Sequence, residues 1–256
     1  DPNDLAKDSS GNIYVVEYSA NRVQKFSSTG QFLLKFGSKG SGNGQFIYPH
    51  SIAVDNSGNI YVIDSLNYRV QKFNSAGQFL LKFGSQGTGN GQFTFINGIA
   101  VDSGGNVYVT DYNNLGTVNS ARVQKFSSTG QFISQLGSKG SGDGQFVMPS
   151  SIAIDSNNNI YVYDNERRIQ KFNSNYQFLT KFIPSATVGD IAVDSSSNVY
   201  ITDSGAQRIL KYSITQCSGT ECNSLNNSQK CDGNFWITAP VENCNTPGDD
   251  NCNGQK

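Results

Sequence analysis

The sequence predicts an all-β fold, a β-propeller built from four-stranded antiparallel blades. Three observations carry this expectation. A block of about 47 residues recurs along most of the chain, every block holds the same short β-type segments in the same order, and no segment offers apolar residues at i, i+3, i+4 and i+7 over three turns.

The copies begin at Pro2, Pro49, Ile96, Pro149 and Asp190. The first segment of each ends in an aspartate, at Asp8, Asp55, Asp102, Asp155 and Asp194, giving spacings of 47, 47, 53 and 39 residues. An Asp there is expected to close the turn into the second strand. The irregular spacings have local causes: copy three carries an insertion at residues 113–119, and copy four lacks the glycine loop that precedes the next copy elsewhere.

The second segment reads Gly-Asn-Ile-Tyr-Val at Gly11 to Val15 and Gly58 to Val62, and recurs with small changes at Gly105, Asn158 and Ser197. β-Branched and aromatic residues behind a Gly or Asn turn read as a strand. The third is Arg22-Val-Gln-Lys-Phe26, repeated from Arg69, Arg122, Arg168 and Arg208. Its Val and Phe fall on opposite faces of a strand, so each blade is apolar on both sides and must be sandwiched between neighbours. The fourth, Gln-Phe-Leu-Leu-Lys-Phe in its clearest form, starts at Gln31, Gln78, Gln131 and Gln177, and copy five shows no equivalent. The expected division is therefore a propeller over 1–212 and a separate tail over 213–256.

Residues 2 to 212 resemble the NHL repeat family in three motifs: Ser51-Ile-Ala-Val-Asp55, Gly58-Asn-Ile-Tyr-Val-Ile-Asp64, and Asn67-Tyr-Arg-Val-Gln-Lys-Phe73. The loop Gly37-Ser-Lys-Gly-Ser-Gly-Asn-Gly-Gln-Phe46, which returns at Gly84 and Gly137, is similar to that family's link between blades. The resemblance implies a ring of six blades, while five copies are visible. Four alternatives stay open: a piece of a longer chain, a five-bladed ring, a last blade completed by the tail, or a strand supplied by another subunit.

Composition limits the functions. The formal charge is −1 over 256 residues, with residues 213–256 holding five acids against two lysines. The propeller thus carries about +2, too little clustered charge to capture nucleic acid. No run of 18 apolar residues exists, so no membrane span is expected.

All five cysteines, Cys217, Cys222, Cys231, Cys244 and Cys252, lie in the tail. A short cysteine-dense segment after a cysteine-free propeller suggests an extracellular module held by disulfides, and hence a secreted or cell-surface protein. The tail is similar to cysteine- and aspartate-rich repeats of secreted bacterial proteins related to the MopE copper-binding family. Cys244 and Cys252 are the favoured pair, because the seven residues between them form a turn rich in Gly, Pro, Asp and Asn. One cysteine is left over, a candidate for an intermolecular bond. Asn226 opens an Asn-x-Ser sequon. Asp249, Asp250 and Asn253, with Asn251, offer oxygen donors to Ca²⁺, against which stands the favoured reading of a solvated, self-capping turn. No other cofactor is expected.

Catalysis is not expected either. The acids closing the second segment, Glu17, Asp64, Asp111, Asp164 and Asp203, each precede an arginine by a few residues, a pattern that reads as a blade-stabilising pair. His50 is the only histidine and cannot build a zinc-histidine site alone. The glycine loop lacks the order of a phosphate-binding loop. What remains is surface: Tyr18, Tyr68, Tyr112, Asn113, Asn114 and Tyr163 differ between copies near strand ends, and are expected to be exposed for protein or glycan recognition. The leading function is a non-enzymatic binding scaffold. A structural subunit that assembles with copies of itself through strand addition or the tail comes second, and a propeller lyase or lactonase third.

Overall fold

The computed structural model describes residues 1–113, 120–165, 167–216, 229–232 and 235–238. Every copy of the repeat becomes one antiparallel sheet, ordered from the ring centre outward. Blade 1 holds β1 (Pro2–Lys7), β2 (Ile13–Glu17), β3 (Arg22–Phe26) and β4 (Phe32–Phe36), and blade 2 holds β5 (Pro49–Val54), β6 (Ile60–Asp64), β7 (Arg69–Phe73) and β8 (Phe79–Phe83). Blade 3 follows with β9 (Ile96–Val101), β10 (Val107–Tyr112), β11 (Ala121–Phe126) and β12 (Phe132–Leu136), and blade 4 with β13 (Pro149–Ile154), β14 (Ile160–Asp164), β15 (Arg168–Phe172) and β16 (Phe178–Phe182).

Blade 5 departs from this plan. Its first three strands are β17 (Val188–Val193), β18 (Asn198–Asp203) and β19 (Arg208–Gln216). The fourth is drawn from far down the chain: β21 (Phe235–Thr238) pairs with β19, and β20 (Gln229–Asp232) lies outside it. The pairing runs from Ser213 to Gln216, beyond the Arg208–Tyr212 stretch that corresponds to the third strand of the other blades. In blade 4, by contrast, β16 covers Ile169 to Phe172 directly.

The core lies between blades, as the two-faced third strand requires. Val70 packs toward blade 3 with Tyr61 and Ile63, against Ile99, Val107 and Phe126. Phe73 packs the other way, toward blade 1, with Ile60 and Val62. Burying a Phe or Val fully contributes roughly 1.5–3 kcal/mol each, so every seam is a large share of the fold's stability. Inner strands pack in the series β1, β5, β9, β13, β17.

Local chemistry sets the turns. Asp55 Oδ1 accepts from the Ser57 and Asn59 amides at 2.9 and 2.8 Å, while Tyr61 Oη donates to Oδ2 at 3.2 Å. Asp8, Asp102, Asp155 and Asp194 make the same turn, as the sequence reading expected. A lysine from the third strand lies over that tyrosine ring, Lys72 over Tyr61 at 4.9 Å and Lys125 over Tyr108 at 5.0 Å. Among the described residues no helix is long and apolar enough to cross a membrane.

Candidate functional site

The five inner strands line a central cavity of about 950 Å³. Their second residues are Asn3, His50, Asn97, Ser150 and Gly189, and their third residues Asp4, Ser51, Gly98, Ser151 and Asp190. Side chains at these positions stitch blade to blade. Asn3 Nδ2 donates to His50 O at 2.7 Å, and His50 Nδ1 lies 3.2 Å from Asn97 O. Ser51 Oγ donates to Asp4 Oδ2 at 2.6 Å, and the Ile52 amide donates to the same oxygen at 2.9 Å. Ser151 Oγ donates in the same way to Asp190. Gly98 has no side chain for a spatial reason: a Cβ there would lie 2.6 Å from Ser150 O.

The electrostatics of the cavity follow from burial. Asp4 is pushed up to about 6, first by loss of water around its carboxylate and next by the Asp190 charge, with the Ser51 and Ile52 hydrogen bonds opposing. Asp190, although exposed as a residue, is raised as well, chiefly by loss of water around its carboxylate. Burial lowers His50 below its usual value, favouring the neutral imidazole. The cavity therefore offers a carboxyl held above its usual range, an imidazole biased toward its neutral form and several hydroxyls. Among the described residues no three of His, Cys, Asp and Glu converge on a point where a metal ion could sit.

The acids named in the sequence reading lie elsewhere. Asp64, Asp111 and Asp164 are buried beside Arg69, Arg122 and Arg168 at 2.7, 3.1 and 3.0 Å, and Asp203 meets Arg208 at 3.2 Å. Glu17 and Arg22 make the corresponding pair in blade 1. These are structural pairs within hairpins, not a ring of carboxylates around the axis.

One end of the ring gathers aromatic side chains. Each blade brings the end of its second strand, or the turn after it, against a residue one or two positions before its inner strand, through Tyr18 N to Asp1 O, Leu66 N to Ile47 O, Tyr112 N to Phe95 O, Asn165 N to Met148 O and Ser204 N to Thr187 O. On that end Tyr18 stacks on Tyr48 with centroids 4.7 Å apart and planes 16° from parallel, and meets the His50 ring edge-on at 6.3 Å. Leu66 and Phe95 are exposed on the same end, and Tyr68 is half-buried.

Two expectations about this surface are corrected. Tyr112 and Tyr163 are only 7 % and 5 % exposed, and both belong to the core between blades. β10 runs on through Tyr112, whose ring packs under Phe95 at 4.9 Å, and Tyr163 occupies the core column that Val16 and Ile63 fill in other blades. Tyr18 and Tyr68 do lie at the end of the ring, Asn113 is half-buried there, and Asn114 falls outside the described residues. So do Cys217, Cys222, Cys244, Cys252, Asn226, Asp249, Asp250 and Asn253, while Cys231 is described only as a backbone position in β20.

Tyr48, Phe95, Leu66 and the pair Asp4 and Asp190 went unnoticed in the sequence. The signal for the cavity residues was present in the second and third positions of the inner strand, which change chemistry from copy to copy inside an otherwise constant segment.

The family described as "6-bladed beta-propeller" matches residues 4–73, 56–115 and 115–182. The chain belongs to this family. Six-bladed relatives thus have one blade more than the five described in this propeller. No curated protein matches the chain. Solved structures similar to this propeller include a chain of a nidogen/laminin complex, at 18% identity and TM-score 0.64, covering 82% of this chain and 74% of that one. Virginiamycin B lyase from Staphylococcus aureus aligns at 13% identity and TM-score 0.59, covering 93% and 77%. A gluconolactonase from Xanthomonas campestris aligns at 15% identity and TM-score 0.60, covering 93% and 72%. At such identities the likeness is one of fold.

Proposed function

We propose that this six-bladed-family propeller is a non-catalytic binding scaffold, displayed outside the cell, that recognises a protein or glycan through the aromatic end of its ring. The observation that carries this is the end of the ring where Tyr18 stacks on Tyr48 and meets His50, a residue that lines the polar cavity, with Leu66 and Phe95 exposed on the same end. Aromatic side chains on rigid strand ends supply large contact area at low entropic cost. The occurrence of a similar propeller in a nidogen/laminin complex supports protein binding as a use of this fold. In the same reading the blades are of NHL type, and the tail is a disulfide-held module like those of secreted bacterial proteins, with Ca²⁺ at Asp249 and Asp250 a secondary proposal.

The test is a triple variant, Tyr18→Ala with Tyr68→Ala and Phe95→Ser, compared with the parent on a glycan array and on a panel of immobilised extracellular-matrix proteins. At least a tenfold loss of binding with unchanged melting is expected, and equal binding would remove this face from consideration.

A second reading, assembly of copies into a filament or surface layer, is favoured by the exposed Leu33, Leu80 and Ile133 on the outermost strands of blades 1 to 3. Lyase or lactonase chemistry comes third. The fold likeness to such enzymes supports it, and Asp4 and His50 in the cavity would be the groups to substitute.

A further inference from the structure

Three seams of the ring share one lock. The glycine loop before β5 presents its carbonyls to Arg69, which donates to Ser41 O at 2.8 Å, Gly42 O at 2.8 Å and Gln45 O at 3.0 Å, and Phe46 at its end is buried against Phe73. Arg122 and Arg168 hold the next two loops, with Phe93 on Phe126 and Phe146 on Phe172. A glutamine two residues after each arginine takes hold of one glycine amide. Gln71, fully buried, donates through Nε2 to Gln45 O at 2.6 Å, and this turns its Oε1 onto the Gly44 amide at 2.9 Å. Gln124 accepts from the Gly91 amide at 2.9 Å and Gln170 from the Gly144 amide at 3.0 Å.

The residue in front of these amides gives the bonds a chemical meaning. Gly44 follows Asn43 and Gly91 follows Asn90, and both asparagines are exposed. An Asn-Gly bond can modify itself. The glycine nitrogen loses its proton to water and attacks the Asn Cγ, a new N–C bond forms, and the bond from Cγ to the side-chain nitrogen breaks with release of ammonia. Water then opens the five-membered succinimide at one of its two carbonyls, leaving aspartate or isoaspartate; one water is consumed, one ammonia leaves, and nothing is oxidised. Glycine permits this best, because it has no Cβ to shield its nitrogen and turns freely. The nitrogen that must attack is the one that the buried glutamine holds. For Gly44 N to reach Asn43 Cγ, Gln71 Oε1 would be left without a donor in a buried site, which is costly.

Other parts of the molecule follow the same rule. Asn97-Gly98, the third Asn-Gly bond among the described residues, also has its glycine amide on a side-chain oxygen, Thr110 Oγ1 at 2.8 Å. In blade 5 the link before β17 contains no such bond, and Leu210 stands where the other blades carry the glutamine. Among blades 2 to 5, then, the glutamine is present where a glycine loop has to be held and absent where there is none. The third loop carries Asp143 at the position of Asn43 and Asn90; its Gly144 amide still reaches Gln170, and Asp143 pairs with Lys181. The lock therefore accepts an aspartate. An isoaspartate, which adds a carbon to the main chain, would draw the glycine amide away from its acceptor.

We propose that Asn43 and Asn90 are latent deamidation sites, and that Gln71 and Gln124 are gates that keep the glycine nitrogen from closing the succinimide ring. The gate opens only when a loop leaves its seam, so the modified fraction at each site records how often that seam has opened. The inference does not depend on the binding-scaffold reading, because no residue of the aromatic end takes part in it.

The test is peptide mass spectrometry of the full chain held at pH 7.5 and 37 °C, reading aspartate plus isoaspartate at each site against a free peptide corresponding to residues 38–48. Asn43 is expected to convert about tenfold or more slowly in the chain than in the peptide. Gln71→Leu, the side chain that blade 5 carries at this position, is expected to speed Asn43 by about fivefold or more and to leave Asn90 unchanged, and Gln124→Leu to do the converse. Equal rates in chain and peptide, or no acceleration in either variant, would overturn the proposal. Gly37→Ala separates a loosened loop from an opened gate, since it strains the same loop with Gln71 in place. Acceleration as large as that of Gln71→Leu would assign the slow rate to loop rigidity and remove the gate. Hydrogen exchange in Gln71→Leu gives a second reading: the Gly44 amide is expected to lose protection while the Phe46 amide, bonded to Ser38 O at 2.8 Å, keeps it. Equal loss at both amides counts against the gate.

Discussion

Two sets of carboxylates in this ring have opposite surroundings. Asp64, Asp111 and Asp164 recur at one position of the repeat, are fully buried, and each faces an arginine that also holds a glycine loop. Asp4 and Asp190 occur only in the first and last copies, lie in the central cavity, and take their hydrogen bonds from serines and backbone amides instead of cations. The difference teaches that repetition marks architecture here. A charge found in every copy is compensated within its own blade, while a charge found in one or two depends on neighbours from other blades and keeps an altered proton affinity.

Breaking the repeated set is expected to have the largest effect. Arg69→Ala removes the partner of Asp64 and releases three loop carbonyls, which should cost about 3–5 kcal/mol in chemical denaturation. A loss under 1 kcal/mol would mean that the pair is not what secures the loop. Next comes the loop itself. Gly37 has φ of +101°, and a Cβ there would lie 2.6 Å from the Phe46 ring, so Gly37→Ala should cost roughly 2–3 kcal/mol.

The unmatched set should behave in the opposite sense. Asp4 binds its proton more tightly in the folded ring than in the unfolded chain, so its contribution to stability grows as pH falls through about 6 toward 4 and is lost as pH rises through that window. Asp4→Asn removes the charge and should raise stability at pH 7.5 by about 1 kcal/mol, allowing for screening by water in the cavity, while flattening the difference between pH 7.5 and pH 5. Thermal melts of both proteins at the two pH values measure this, and a destabilised variant at pH 7.5 would show that the ionised carboxylate is needed as an acceptor. Below about pH 4 the trend reverses, because Asp102 and Asp155 are held below their usual values and must then be protonated. The smallest effect expected is that of Lys72→Met, which loses a contact with the Tyr61 ring and a bond to Ser128 O. A cost of about 0.5–1 kcal/mol in the same melts is anticipated.

Sequence pattern revealed the architecture because each blade is written locally. The Asp55 turn, the Tyr61 strand and the two-faced Val70 to Phe73 segment all lie within 19 residues of one another. The same pattern placed Asp64 with Arg69 across one hairpin. The cavity was harder to read, because His50 meets Asn97 and Asp4 meets Ser51 across 47 residues of sequence, and only ring geometry brings them together. Tyr163 stands in the apolar column of Val16 and Ile63, and that column, not its variation between copies, decides its burial. The fourth strand of blade 5 could not be recognised from the repeat, because β21 carries none of the Gln-Phe-Leu-Leu-Lys-Phe pattern.

Among the described residues each blade stacks chiefly on its sequence neighbours, which makes the molecule a short one-dimensional array. Blades 2, 3 and 4 are each clamped from both sides, while blades 1 and 5 are held from one. In such an array opening begins at the ends and spreads inward, so amide hydrogens of β2 and β18 should exchange sooner than those of β10, even though all three occupy the same place in their blades. Protection against exchange would then rise and fall along the chain as an arch centred on blade 3.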